Sequence, residues 1–444
     1  MVSITQYILA LLLMGYALFG RAMAYMGFSP IYIGEIALVT GLLFILSHSE
    51  WKKLLKIGVF RWLLLFMFWG AVRTFPYISH YGKDALRDGV SWGYGLFAII
   101  VATLMIRTEA QVKVIKWYRD TSVLYSIWIP LAIIFMLFLS DRIPYLPWGP
   151  NEGISAISLK GGDIAVHLSG MLAFYYLVLP NYPFRRFLLL FWYAWLFCFI
   201  FIGVTGRAAF LTVSTTAMVT VYKLGHEKWI QWVSLALLVV MILMFFEIEI
   251  DTGQERIVSF EQLITNVKSI FGEVEGFSGE GSKMWRIMWW QKIVDYTVFG
   301  EYFWTGKGFG INLADDDGFQ VLAESALRSP HNGHLTFLAR AGVPGFLLWI
   351  GLQLSFAASL WKSYRRLEKR GYAQDAGLYL WIFIYWLAFM INGTFDVFFE
   401  GPQGGIWFWA LMGFGLGLVH AERQLSVQDD DPASLAIPFE NPDR

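Results

Sequence analysis

The sequence predicts an all-α fold, a polytopic membrane protein of about twelve transmembrane helices with one long extracytoplasmic loop that contains helices of its own. Three observations carry this expectation. Of 444 residues, 57% are hydrophobic and 15% charged, where soluble globular chains carry about 25% charge, and the mean hydropathy is +0.52. The apolar residues gather into runs long enough to cross about 30 Å of hydrocarbon as helices. Lysine and arginine, in turn, are sorted between alternate connections.

The runs fall near 5–22, 31–48, 58–74, 91–106, 121–140, 164–180, 187–204, 208–223 and 229–248, and then near 334–360, 376–395 and 404–420. This divides the chain into N-terminal spans (1–248), a polar loop (249–333), C-terminal spans (334–423) and a polar, acidic tail (424–444) whose composition predicts disorder. Some runs are short enough for a half-buried or re-entrant segment. The first, "YILALLLMGYALFG", has no basic stretch before it and reads as a span rather than a cleaved signal. Connections after the even-numbered spans hold Lys52, Lys53 and Lys56, then Arg107, Lys113, Lys116 and Arg119, then Arg185 and Arg186, Lys223 and Lys228, and finally "WKSYRRLEKR". Excess Lys and Arg marks the cytoplasmic side, so both termini are expected there and the loop outside, with Lys83, Arg87 and Arg142 as exceptions.

The loop holds thirteen Asp and Glu against seven Lys and Arg. "SFEQLITNVKSIFGEV" and "KMWRIMWWQKIVDYTVF" show helical spacing, which predicts helices lying on the membrane surface. Composition also excludes functions. The formal net charge is zero, so no bulk attraction to nucleic acid is implied. The single cysteine, Cys198, sits in an apolar run and rules out an internal disulfide or a cysteine metal cluster.

Three stretches outside the membrane carry candidate chemistry. Arg207, in "GVTGRAAF", reads either as a snorkelling arginine or as a guanidinium fork for phosphate oxygens. Arg286 and Lys283 share a helical face among Trp and Met, which suits headgroup anchoring or contacts to a sugar and a lipid phosphate. His331 and His334, in "SPHNGH", follow a proline at the entrance to a span. They read as helix-cap residues, as a metal pair with weak support, or as a base or substrate contact beside Asn332. "FWTGKGFGIN" follows no buried strand and reads as a turn that shapes the loop rather than a nucleotide site. Asp396 and Glu400 are four apart in the last outer connection and read as ligands for a cation or sugar hydroxyl, or as solvated charges. Two arginines and a histidine on one face of a helix bundle fit a lipid-linked pyrophosphate donor, with the arginines neutralising the leaving group and the histidine taking a proton.

"SPHNGHLTFLARAGVPGFLLW" resembles the His-Asn signature of the O-antigen ligase and polymerase superfamily. "MWRIMWW" with "FWTGKGFGIN" is similar to its arginine segment and glycine-rich turn, and "TGRAAFLTV" to its outer-turn arginine. The resemblance implies a metal-independent, inverting glycosyltransferase of the bacterial inner membrane that needs no cofactor. Its donor would be a glycan on undecaprenyl pyrophosphate, its acceptor lipid A–core or another glycan, and its active site periplasmic. Carried over, His331 is the base, Arg207 and Arg286 bind pyrophosphate, and Asn332, His334 and Lys283 are further substrate contacts. Arg340 departs from the pattern and is expected to add positive charge close to the site.

Within that family a ligase and a polymerase share these residues, and the single dominant loop favours the ligase. From another class, a lipid-linked glycan transporter would need charges near the midplane and an internal repeat. Glu35 is one candidate charge, and no repeat is visible.

Overall fold

A computed structural model describes residues 2–28, 31–146, 154–179, 185–224, 250–251, 257–258, 261, 264–266, 268, 279–321 and 326–428. Helices dominate: α1 (Val2–Phe19), α2 (Arg21–Ala24), α3 (Ile33–Ser47), α4 (Gly58–Tyr81), α5 (Lys83–Gly93), α6 (Gly95–Leu104), α7 (Thr108–Phe138), α8 (Gly161–Leu177), α9 (Arg185–Thr205) and α10 (Arg207–Leu224) precede the loop. Then follow α11 (Gly279–Val298), α12 (Leu313–Asp317), α13 (Gly333–Lys369), α14 (Ala373–Gly393) and α15 (Pro402–Gln428). Strands are limited, among the described residues, to three two-residue hairpins.

The expected span at 229–248, the first helix expected in the loop for most of its length, and the tail lie outside the described residues. Every other expected span coincides with helix. Among the described residues five helices (α4, α7, α13, α14 and α15) are by themselves long and apolar enough to cross a membrane, or six if α3 and the turn after it (Ser49–Lys56), bent by 85°, count as one. The expected run at 91–106 is different. It breaks at Tyr94, and α6 has ten residues, all buried but Leu96. At 1.5 Å per residue it reaches about 15 Å, half of the hydrocarbon thickness, and serves as an internal post. Helix α15 packs directly on it: a Cβ on Gly413 would lie 2.5 Å from the Ala98 carbonyl oxygen, and one on Gly417 2.3 Å from Met105 Cβ. Small residues permit that approach. Elsewhere apolar side chains face outward, as at Leu46, Phe68, Phe75, Leu347 and Leu354, and these are the surfaces lipid would cover.

Glu35 is not a midplane charge. It sits in the first turn of α3, where its carboxylate accepts the Tyr32 backbone N–H at 3.0 Å, one of the donors a helix start leaves unpaired.

The second half of the loop folds onto α13. Trp289 and Ile293 of α11 bury against Leu313, Ala314, Leu327, Leu338 and Ala339. Asp317 ties the unit together by accepting from the Trp289 indole at 2.7 Å and from Tyr296 at 3.3 Å, and Lys307 pairs with Asp316 and Asp317.

The 37-residue α13 is two helices joined at Gly342, where φ is +69° and ψ −176°. A break frees the last carbonyls of the first segment, and the glycine-rich turn satisfies them. Lys307 N–H donates to Ala339 at 2.7 Å and Gly308 N–H to Arg340 at 3.0 Å, while Val343 N–H returns to the Phe303 carbonyl at 2.8 Å. The Trp69 indole of α4 takes the Ala341 carbonyl at 2.9 Å. Beneath the turn lies Arg340, 1% exposed, paired with Asp88 of α5 at 2.9 Å. Asp88 also receives Arg328 and the Gly310 N–H, both at 3.0 Å. Arg340 therefore adds no charge to the site, contrary to the sequence expectation, because its charge is spent inside the fold.

The docking leaves no room for side chains at the turn. A Cβ on Gly306 (φ +57°) would sit 2.4 Å from the Arg340 carbonyl carbon, whereas one on Gly371 (φ +85°) would meet nothing within 4 Å. Gly371→Ala is expected to cost only left-handed strain, about 1–2 kcal/mol. Gly306→Ala adds a backbone clash and is expected to cost at least about 2 kcal/mol more. Thermal unfolding of the two variants in detergent measures the difference, and equal melting temperatures would show that the turn is not pressed against the break. Asp88→Asn strands a buried arginine and is expected to cost about 3–5 kcal/mol in the same assay.

Candidate active site

Three helix starts meet at one end of the bundle. Helix α9 stops at Thr205, one residue intervenes, and α10 begins at Arg207. The Asn266 side chain fixes this turn by donating to the carbonyls of Gly203 (3.0 Å) and Val204 (2.7 Å), which the end of α9 leaves open. The start of α8 is wedged alongside. A Cβ on Gly161 would lie 3.8 Å from Thr205 Oγ1, and one on Gly162 only 2.8 Å from the Asn392 amide of α14. The third start is that of α13, capped by Asn332, whose Oδ1 accepts the backbone N–H groups of His334 and Leu335, each at 3.0 Å.

His331 precedes that cap in a left-handed conformation, φ +51°, alone among the described non-glycine residues. Such backbone is costly outside glycine and is held by its surroundings. Here the Trp290 indole anchors the preceding Pro330 carbonyl at 2.8 Å, and Asn332 is buried on the other side. The bend directs the imidazole out of the helix line toward the connection after α14. Its Nδ1 lies 3.8 Å from Asp396 Oδ1, and its ring meets Trp285 edge-on, centroids 6.4 Å apart.

Asp396 is where the candidate residues converge. Lys160, just before α8, is 3.7 Å from its other oxygen. Arg286 on α11 donates to the neighbouring Phe395 carbonyl at 3.2 Å. Burial pushes the Asp396 carboxyl up. The His331 ring, the Lys160 charge and the Val397 N–H at 2.8 Å outweigh this and hold it below the ordinary aspartate value. Burial lowers the Arg286 pKa, the Asp396 charge opposes that, and the Arg207 charge adds to the lowering. The two guanidiniums, remote in sequence, are thus close enough to act on each other. The buried Arg286 Nε makes no hydrogen bond among the described residues, leaving a donor for an anion.

Arg286 and His331 therefore meet at the Phe395–Asp396 connection, and Arg207 lies near enough for its charge to bear on Arg286. Lys283 precedes Arg286 by three residues on α11. His334 does not join them. Its Nδ1 accepts the Trp349 indole N–H at 3.0 Å and its Nε2 lies 3.0 Å from the Met390 carbonyl, so the ring is set in one tautomer inside the helix bundle with both nitrogens engaged. The Asn332 carbonyl oxygen is committed to the helix cap. Sequence reasoning missed Lys160, which carries no motif. It singled out Asp396 but grouped it with Glu400, and the structure separates them. Glu400 is half-buried near Arg340, Asp88, Ser329 and Thr336, where desolvation raises its pKa.

Residues 192–350 match the family model described as O-antigen ligase. Over that segment the chain is similar to the O-antigen ligase family. The match runs from α9 through the loop into α13, so it contains Arg207, Arg286 and His331, while Lys160 and Asp396 reach the cluster from outside it. No curated protein matches the chain in a sequence comparison. The match supports a glycosyltransferase- or ligase-like enzyme working in a membrane on lipid-linked glycan.

The lowered Asp396 carboxyl gives a signed prediction. A carboxylate with a depressed folded pKa stabilises the fold above its unfolded value, about 3.9, and loses that contribution as pH falls through the folded value. Asp396→Asn is therefore expected to be less stable than wild type at pH 7, with the gap closing below about pH 4. A gap that stays constant with pH would show that the carboxylate charge is not what matters.

Proposed function

We propose that the protein transfers a glycan from undecaprenyl pyrophosphate to an acceptor hydroxyl, as an O-antigen ligase with lipid A–core as acceptor. It would sit in the bacterial inner membrane with the cluster on the periplasmic face. The observation that carries this reading is the convergence on Asp396 of a histidine and a set of cationic side chains.

The chemistry follows from the arrangement. Asp396 faces Nδ1 of His331, which favours the tautomer with its proton there and leaves Nε2 as the acceptor. The acceptor hydroxyl loses its proton to Nε2 as its oxygen bonds to the anomeric carbon from the face opposite the leaving group, which inverts that centre. The bond from that carbon to the pyrophosphate oxygen breaks, and its electron pair goes to the phosphate. Arg207 and Arg286 stabilise that charge, a task for which a rigid fork of donors suits phosphate oxygens. Asp396 balances the imidazolium that forms and orients the ring. Lys160 and Lys283 extend the cationic lining toward the donor.

The test uses purified protein in detergent with an undecaprenyl-pyrophosphate glycan, with and without EDTA, offering lipid A–core in one arm and only further donor in another. Product on lipid A–core that survives EDTA and falls about 10²–10⁴-fold in His331→Ala is the expected result. Arg207→Ala and Arg286→Ala are each expected to lose about 10²–10³-fold in kcat. His334→Gln is expected to lower thermal stability while leaving donor KM near wild type. Chain growth with donor alone would make the enzyme a polymerase, and absence of turnover in both arms would favour the transporter reading.

A further inference from the structure

Between α1, α6, α7, α8, α14 and α15 a cavity runs along the bundle from an end away from Asp396 inward to Ala17 and His167, with some 1010 Å³ of space when its open side is included. Its walls are almost wholly apolar, with Leu9, Leu13, Val101, Met171, Leu411 and Phe414 contributing from four of these helices. The cavity follows α1 from Gln6 to Ala17, about 16 Å at 1.5 Å per residue. That is about half of a 30 Å hydrocarbon core, the depth of one leaflet. Water has few partners on such walls, whereas a hydrocarbon chain is matched to them in polarity and length.

The rim supplies the second observation. Near the start of α1, Lys113 of α7 lies 4.2 Å from the Tyr7 ring centroid and 4.8 Å from that of Trp117, which itself lines the cavity. Among the described residues Lys113 forms no ion pair. A cation held by aromatic rings at the mouth of an apolar slot matches the interfacial layer of a bilayer, where Trp, Tyr and Lys anchor at headgroup level and lysine attracts anionic lipid.

We infer that this cavity binds one chain of an anionic glycerophospholipid from the leaflet opposite the candidate active site, with the headgroup phosphate at Lys113. The site is separate from the donor site and does not depend on the transfer reaction. A bound chain would fill the gap between α1 and α7 on one side and α14 and α15 on the other, and so brace the bundle.

Native mass spectrometry and thermal unfolding of the full chain test the inference, with phosphatidylglycerol and phosphatidylcholine as probes added to delipidated protein. Wild type is expected to retain one phospholipid and to bind phosphatidylglycerol about tenfold more tightly than phosphatidylcholine. Ala10→Phe, which projects a ring into the cavity, is expected to lower retention of both about tenfold. Lys113→Glu is expected to abolish the preference between them, and Lys362→Glu, at the same end of the bundle but not lining the cavity, to preserve it. Equal wild-type affinity for the two lipids, retention undiminished in Ala10→Phe, or retention of a polyprenyl phosphate in place of phospholipid would each overturn it. The wild-type comparison stands even if a variant fails to fold.

Discussion

Where α13 breaks at Gly342, three carbonyls are turned over to other parts of the chain: those of Ala339 and Ala341, which a continuous helix would have paired with Val343 and Gly345, and that of Arg340, whose partner position is Pro344 and has no N–H. Lys307 and Gly308 take two of them with backbone N–H groups, and the Trp69 indole takes the third. Buried backbone acceptors must find donors, so this single break obliges the glycine-rich turn and α4 to meet α13 at one place. The Asp88 interactions with Arg340, Arg328 and the Gly310 N–H lie directly beneath and hold the turn in depth. With the turn fixed, α11 has a surface on which to bury Trp289 and Ile293, and its other face carries Arg286 to the Phe395–Asp396 connection.

The candidate site is thus assembled by docking rather than by local sequence. His331 is presented by strained backbone between an anchored carbonyl and a buried cap, Arg286 by the loop helix, Arg207 by a one-residue turn, and Lys160 by the start of α8. Helix starts concentrate unpaired N–H groups and positive dipole ends, and three of them meet here. Asp396 supplies a counter-charge that lets these cations approach each other.

The Arg340–Asp88 pair illustrates how misleading a charge can be when read along the chain. Nine residues separate Arg340 from His331, yet one is sealed inside the fold and the other is 32% exposed at the cluster. His331 stands before the Asn332 cap on left-handed backbone, whereas Arg340 lies within the helix just ahead of its break at Gly342. His334 makes the same point at closer range, since it shares the first turn of α13 with the Asn332 cap but its ring belongs to the helix bundle with Trp349.

Much of this was determined by the sequence alone. Apolar length and the sorting of lysine and arginine predict the helices, and all those expected within the described residues are present apart from the breaks at Tyr94 and Gly342. The motif around His331 and the two arginines led to the family that the match over residues 192–350 supports. These features are local, and hydrophobic periodicity and motif spacing report local physics. What only the tertiary structure decided is long-range. The convergence of Arg207 and Arg286, the joining of Lys160 and His331 through Asp396, the separation of Asp396 from Glu400, and the burial of Arg340 all depend on contacts between segments far apart in the chain. No spacing rule encodes such contacts, because they are set by which helix faces pack and by where a broken helix must find its missing hydrogen-bond donors.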